Sequence, residues 1–165
     1  MAKSRLHELS QQGVSVWIDS LSREILETGE LARLMKEDAV VGVTSNPTIF
    51  QKALATGEWY DEQLAELLKT EDDPTEIFLR LAMEDIRQAC DLMRPVWDGG
   101  KGEDGYVSLE VDPTLAYDRE ATFEQAMQSS IAPRPGLVAG IFTWRFGRST
   151  SWCKRIACSK VASRS

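Results

Sequence analysis

Histidine is nearly missing from this sequence, and cysteine is scarce. The 165 residues include a single histidine, His7, and three cysteines. A catalytic triad centred on histidine and a histidine-rich metal site are therefore not expected. An odd number of cysteines, of which Cys90 lies in a helical pattern, argues against a disulfide framework. The cysteine content instead indicates a reducing compartment such as the cytoplasm.

Long hydrophobic runs are missing as well. No apolar run approaches the ~18 residues that a membrane span requires, and the first residues lack the apolar core of a secretory signal. We therefore expect a cytoplasmic protein with no membrane partner. A hydrophobic content of 42% with five tryptophans nevertheless predicts a folded domain rather than a disordered chain.

Acidic residues stop at Glu124. Residues 1–126 hold all 26 Asp and Glu and 12 of the 19 Lys and Arg, so that their net charge is −14; the other seven basic residues give residues 127–165 a charge of +7. A change this abrupt indicates a boundary. We predict a folded part over residues 1–126 and a basic tail over residues 127–165, either out of frame or unstructured.

Three short segments have the pattern of β-strands, and helical patterns separate them. Residues 14–19 and 106–112 alternate between apolar and polar side chains, and residues 40–44 form a short apolar run. Helical patterns cover residues 21–28, 30–37 and 47–54. A long helical pattern begins at Asp73 and Pro74 and ends at the glycines after Asp98, and another begins near Arg119. Strands that alternate with helices predict a parallel sheet with helical crossovers.

Two α/β architectures compete for this pattern. A doubly wound sheet buries both faces of its strands, whereas here two of the three strands keep one polar face, as a closed barrel allows near its open end. A (β/α)₈ TIM barrel requires roughly 250 residues and eight strands, but only 53 residues follow the third strand. The sequence therefore predicts an incomplete (β/α)₈ TIM barrel, with the first three βα units followed by a tail outside the barrel.

Polar residues end each predicted strand. They are Asp19, then Thr44 and Asn46, then Glu110 and Asp112. Barrel enzymes place their chemistry at the carboxyl ends of the strands. Simpler interpretations stay open: Asp19 could cap a helix that starts near Ser20, Asn46 could cap the next helix, and Asp112 could bond to a loop.

Three motifs at these strand ends resemble transaldolase, in particular its actinobacterial-type members within the class I Schiff-base aldolase superfamily. The matching segments are residues 14–23 (VSVWIDSLSR), 42–50 (GVTSNPTIF) and 107–113 (VSLEVDP). The resemblance covers residues 3–126. It implies transfer of a dihydroxyacetone unit from sedoheptulose 7-phosphate to glyceraldehyde 3-phosphate, giving erythrose 4-phosphate and fructose 6-phosphate in the pentose phosphate pathway. It implies sugar-phosphate substrates, no cofactor and no metal.

The resemblance also implies roles for four residues. Asp19 matches the aspartate that takes a proton from the hydroxyl whose loss drives cleavage, and Glu110 matches the glutamate that moves protons through water. Asn46 matches an asparagine that holds substrate hydroxyls, with Thr44 beside it. Paired carboxylates can supply these proton transfers without histidine.

The nucleophile of the family has no counterpart in this chain. The family places a Schiff-base lysine on the fourth strand, near position 140, where this sequence reads LVAGIFTW over residues 137–144. Lys154 and Lys160 lie in other contexts. We therefore predict an inactive chain and explain the tail by out-of-frame translation. The alternatives are a related Schiff-base aldolase, such as a fructose-6-phosphate aldolase, and a non-enzymatic fragment whose basic tail binds nucleic acid or membrane. We expect neither of the latter partners, because charge alone is a weak motif.

Overall fold

Helices and parallel strands alternate along the chain. The computed structural model describes residues 4–56, 58–111, 113–128 and 139–141. The strands are β1 (Val16–Asp19), β2 (Val40–Ser45), β3 (Tyr106–Leu109) and β4 (Ala139–Ile141). The α-helices are α1 (Arg5–Gln11), α2 (Arg23–Glu27), α3 (Glu30–Glu37), α4 (Pro47–Thr56), α5 (Asp61–Leu67), α6 (Pro74–Gly99) and α7 (Arg119–Gln128), and two single 3₁₀ turns cover Glu58–Tyr60 and Pro113–Leu115.

The strands form one sheet in chain order, β1-β2-β3-β4, and every pairing is parallel. One register line near the carboxyl ends joins Asp19 to Thr44, Thr44 to Ser108 and Ser108 to Gly140. The predicted α/β class and the partial-barrel arrangement of the first βα units are confirmed. β4 lies within the predicted tail, at the position where the next strand of a barrel is expected. Residues 129–138 and 142–165 lie outside the described residues, and the boundary at residue 126 stays a prediction.

The hydrophobic core lies between one face of the sheet and the helices. Val43 and Val107 are fully buried on this face, and Leu109 is 5% exposed. They pack with α2, α3 and the inner side of α6. On α6, Ala82, Ile86, Ala89 and Met93 are buried at helical spacing and form an apolar stripe. This packing covers one face of the sheet and leaves the opposite face, called here the inward face, for other contacts.

Aromatic side chains lie on the inward face toward the amino ends of the strands. Trp17 and Tyr106 stack at 6.3 Å between ring centroids with an interplanar angle of 15°. Gly42 lies between them in the register, and a Cβ added there would come within 2.3 Å of Trp17 Cε2. Trp97 meets Tyr106 edge-on at 5.1 Å. These three rings form the aromatic floor, one layer below Asp19, Thr44 and Ser108, because alternate residues of a strand share a face.

The start of the long helix agrees with the capping signal in the sequence. The end of one strand differs from the predicted one. Asp73 Oδ1 accepts a hydrogen bond from the Thr75 N–H at 2.8 Å, and Pro74 occupies the first helical position, as predicted. The predicted strand over residues 106–112 was too long: β3 ends at Leu109, where its pairing with β2 also ends. The short helix α1 was not predicted, and none of its residues is buried.

Candidate functional site

Asp19 and Thr44 meet at the carboxyl ends of β1 and β2. The parallel ladder places the two residues opposite each other. Thr44 Oγ1 donates a hydrogen bond to Asp19 Oδ1 at 2.7 Å and also lies 3.4 Å from the Ile18 carbonyl oxygen. The Asp19 carboxylate stays exposed to solvent. Two of the residues that the sequence singled out are therefore in direct contact, with one Asp19 oxygen engaged by Thr44.

Glu110 adds a second carboxylate from the next strand. It follows β3 directly and is half-buried. Burial raises the pKa of the Glu110 carboxyl above its ordinary value, and the negative charge of Asp19 raises that pKa further. The charge of Asp19 thus acts on Glu110 from the other side of β2. Glu110 therefore keeps its proton to a higher pH than an ordinary glutamate does.

Asn46 lies between these strands in the sheet order, at the start of α4. Its side-chain Oδ1 accepts a hydrogen bond from the Ile49 N–H at 3.0 Å, and its carbonyl oxygen accepts from the N–H groups of Ile49 and Phe50. The predicted cap is confirmed. Because the helix engages Oδ1, the Nδ2 amino group is the part of this side chain that could donate to a ligand hydroxyl.

The interpretation of Asp19 as a helix cap is wrong. Helix α2 begins at Arg23, and Ser22 is its N-cap, accepting a hydrogen bond from the Ile25 N–H at 3.3 Å through Oγ. Three residues separate Asp19 from the helix. The Asp19 carboxylate is thus not used by the helix start and contacts Thr44 instead.

A buried polar network behind the site was not predicted. Arg23 donates through Nε to Asp85 Oδ1 at 2.5 Å and through Nη2 to Gln63 Oε1 at 2.8 Å. Tyr60 Oη donates to Asp85 Oδ2 at 2.7 Å and accepts from the Arg23 backbone N–H at 2.8 Å. These four residues are called the Arg23 network. Arg23 and Asp85 lie 62 positions apart, so no local pattern in a single sequence could have paired them.

Ser108 is a further polar residue of the inward face. It is 1% exposed and shares the register line of Asp19 and Thr44. Its own carbonyl oxygen accepts a hydrogen bond from Ser45 Oγ at 2.8 Å. The predicted alternation of residues 106–112 was the signal for its position, since alternate residues of a strand share a face. Its placement adds a hydroxyl between Thr44 and the fourth strand.

Residues 16–130 match the family described as transaldolase/fructose-6-phosphate aldolase. The chain belongs to this family. The match begins at β1 and includes Asp19, Thr44, Asn46 and Glu110, so the recognition made from the three motifs is confirmed.

Curated relatives of the transaldolase family agree with this assignment. A transaldolase of Thiobacillus denitrificans is 47% identical over 135 residues, which cover 81% of this chain and 38% of the relative. A transaldolase of Parafrankia sp. is 52% identical over 121 residues, or 73% of this chain and 33% of the relative. A transaldolase of Mycobacterium tuberculosis is 47% identical over 133 residues, which cover 80% of this chain and 36% of the relative. The chain thus spans little more than a third of the length of these transaldolases.

Other sequence-based expectations concern metals, membranes and the tail. Within residues 4–56, 58–111, 113–128 and 139–141, no group of three or more His, Cys, Asp or Glu could hold a metal ion. In the same part of the chain, no helix is long and apolar enough to span a bilayer. Asp112, Lys154 and Lys160 lie outside the described residues.

Proposed function

We propose that this chain carries the proton-transfer and hydroxyl-binding half of an aldol site for sugar phosphates. The observation that supports it best is the placement of Asp19 at the end of β1 and of Glu110 directly after β3, on either side of β2, where the charge of Asp19 acts on Glu110. Both residues lie within the part of the chain that matches the transaldolase family. Paired carboxylates in different surroundings are suited to exchange protons with a substrate.

Each residue then has a distinct task. Asp19, exposed to solvent, takes the proton from the substrate hydroxyl next to the carbon–carbon bond that breaks. Glu110, whose pKa burial and the Asp19 charge raise, gives and takes protons through water as the carbonyl carbon is attacked. Thr44 holds one Asp19 oxygen through the hydrogen bond of 2.7 Å. Asn46 offers its Nδ2 donor to a substrate hydroxyl while α4 holds its Oδ1.

We propose that the 165-residue chain does not complete this chemistry by itself. In the family, a lysine on the fourth strand forms a Schiff base with the ketose. The transferred unit is dihydroxyacetone, which passes between sedoheptulose 7-phosphate and glyceraldehyde 3-phosphate. The fourth strand here, Ala139–Ile141, contains no lysine. Carboxylates can move protons but cannot replace an amine nucleophile.

Borohydride reduction in the presence of fructose 6-phosphate tests both parts of the proposal. Gly140 pairs with Ser108, so position 140 lies on the register line of Asp19 and Thr44. We expect no trapped adduct on the unsubstituted chain and a trapped adduct at position 140 in Gly140→Lys, located by peptide mass spectrometry. Gly140→Arg is the matched control, because it supplies a similar charge without a nucleophilic amine.

The roles of the carboxylates are tested in the same background. Adding Glu110→Gln to Gly140→Lys should slow adduct formation by roughly 10²-fold or more, the usual size of a lost general acid or base. An adduct on Lys154 or Lys160 of the unsubstituted chain would overturn the proposed inactivity. Equal trapping rates with and without the Glu110 carboxyl would overturn its proposed role.

A second proposal concerns residues 127–165, which we attribute to out-of-frame translation. All 26 acidic residues precede this segment, and the family match ends at residue 130. The coding DNA from codon 120 onward tests it. One of the other two reading frames should encode a fourth strand with a lysine; if neither frame does, the proposal is wrong.

A further inference from the structure

The Arg23 network joins the start of α2 to three other parts of the fold. Arg23 is the first residue of α2. Its guanidinium reaches Asp85 in α6 and Gln63 in α5, and its backbone N–H reaches Tyr60 in the 3₁₀ turn. The guanidinium carbon also lies 5.1 Å from the centroid of the Tyr60 ring. Main chain and side chain of one residue are therefore held at the same time.

The ion pair between Arg23 and Asp85 is buried. The side chain of Asp85 is fully buried and that of Arg23 is 11% exposed. Burial raises the pKa of the Asp85 carboxyl, and the hydrogen bonds from Tyr60 and Arg23 offset part of this rise. A buried ion pair often adds little net stability compared with apolar residues of similar volume. What the pair does provide is a fixed geometry, since each Asp85 oxygen accepts from a different element.

A short connection links this anchor to the proposed site. Only residues 20–22 separate Asp19 from Arg23, and Leu21 in the middle is fully buried. At the other end, β1 is paired with β2 as far as Asp19 and Thr44. A three-residue segment whose middle residue is buried has little freedom to move, because an extended residue spans at most ~3.6 Å. A shift of the α2 start is therefore passed on to the end of β1.

We propose that Arg23 is a positioning residue for Asp19, acting through its bonds to Asp85 and Tyr60. It holds the start of α2 so that the Asp19 carboxylate keeps its place beside Thr44 and near Glu110. This rests on the proposed function of Asp19 as the proton acceptor. Reacting groups must be held to within about 1 Å for efficient chemistry, and the exposed Asp19 side chain has only one hydrogen-bonding side-chain partner among the described residues, Thr44.

The Glu110 carboxyl serves as the reporter, because the charge of Asp19 contributes to its pKa. Carboxyl ¹³C NMR titrations of Glu110 are compared in the 165-residue chain, in Arg23→Lys, in Asp19→Asn and in the double variant. Lysine keeps the charge but lacks the planar fork of arginine. We expect Asp19→Asn to lower the Glu110 pKa toward its ordinary value, and Arg23→Lys to produce a smaller shift in the same direction, since a freer Asp19 spends more time in solvent.

The double variant separates positioning from a general loss of structure. If Arg23 acts through Asp19, Arg23→Lys should leave the Glu110 pKa unchanged once Asp19→Asn is present. The matched control is Arg33→Lys in α3, where the arginine pairs with Glu30 and Glu37 at the surface; it should not move the Glu110 titration. Equal shifts with and without the Asp19 carboxylate would overturn the proposal.

A purely structural role has its own signature. It would lower the free energy of unfolding while leaving the Glu110 titration of the folded chain unchanged, and this result would also overturn the proposal. If Arg23→Lys does not fold, Tyr60→Phe replaces it, since phenylalanine keeps the ring and removes only the hydroxyl that accepts from the Arg23 N–H. No turnover is needed for these titrations. Failure here is thus distinct from failure of the borohydride test.

Discussion

Thr44 Oγ1 donates a hydrogen bond to Asp19 Oδ1 at 2.7 Å and thereby joins the ends of two adjacent strands through side chains. The parallel ladder between β1 and β2 brings these residues opposite each other. The contact leaves the second Asp19 oxygen available. It is the part of the proposed site that depends least on other regions of the chain, because β1 and β2 alone supply both partners.

A double-mutant cycle measures this contact. Thr44→Val removes the hydroxyl while keeping a β-branched side chain of similar volume, and Asp19→Ala removes the acceptor. We expect a coupling free energy of about 0.5–1.5 kcal/mol, the usual net value of one hydrogen bond, from urea unfolding of the four proteins. A coupling indistinguishable from zero would contradict the contact.

Glu110→Gln should change how stability depends on pH. Burial and the charge of Asp19 raise the Glu110 pKa in the folded chain, so the folded state binds this proton more tightly than the unfolded state does. The contribution of Glu110 to stability is therefore fully present below the ordinary glutamate pKa and is lost as the pH rises through the raised pKa.

Above that range, the Glu110→Gln variant should be more stable than the parent chain, by less than about 1 kcal/mol because solvent screens a partly exposed group. The difference in the free energy of unfolding between the variant and the parent chain should shrink as the pH is lowered from that range. Urea unfolding between pH 4 and pH 8 measures it. Asp19→Asn should weaken this pH dependence without removing it, since the effect of burial remains. A constant difference across the pH range would show that Glu110 is not coupled to folding in this way.

Gly42→Ala should destabilise the fold through the aromatic floor. A Cβ at this position would lie 2.3 Å from Trp17 Cε2, so the stacked indole would have to move. Overpacking of this kind typically costs about 1–3 kcal/mol. Gly99→Ala, at the end of α6, is the matched control because its Cβ would meet nothing within 4 Å. Far-UV circular dichroism in urea compares the two, and equal midpoints would refute the close contact.

Tyr60→Phe should destabilise the chain because it removes one hydroxyl from the Arg23 network. The buried Asp85 carboxylate would lose a donor, and the Arg23 N–H would lose its acceptor. Leaving buried groups without a partner costs about 1–3 kcal/mol. Tyr117→Phe is the control, since Tyr117 is fully exposed. Unfolding midpoints in urea should fall for Tyr60→Phe alone; the same loss in both variants would point to a nonspecific effect.

Local patterns predicted the parts of the fold that depend on short-range physics. Alternation along residues 106–112 placed Ser108 on the face opposite Val107 and Leu109, and the register agrees, since Ser108 pairs with Thr44. The capping residues Asn46 and Asp73 were identified because a helix start exposes backbone N–H groups that a nearby side chain must satisfy. Both signals act within a few residues, and both are readable in a single sequence.

Contacts between distant segments were not predictable in the same way. Asp85 looked like any acidic residue of a long helix, yet it is fully buried because Arg23 and Tyr60 fold onto it. Helix α1 was not predicted because it buries none of its residues, and its sequence therefore shows no apolar stripe. The limit of β3 was also misplaced, because the end of a strand depends on where its partner, β2, stops.

The order of the sheet has a consequence for synthesis on the ribosome. Because each strand pairs with the one made just before it, the nascent polypeptide can dock one strand after another without waiting for distant sequence. Asp19 and Thr44 can meet once the second strand has emerged from the exit tunnel. Asp85 emerges later, followed by Glu110 with the third strand, so the anchor on Arg23 can form before the two carboxylates come together.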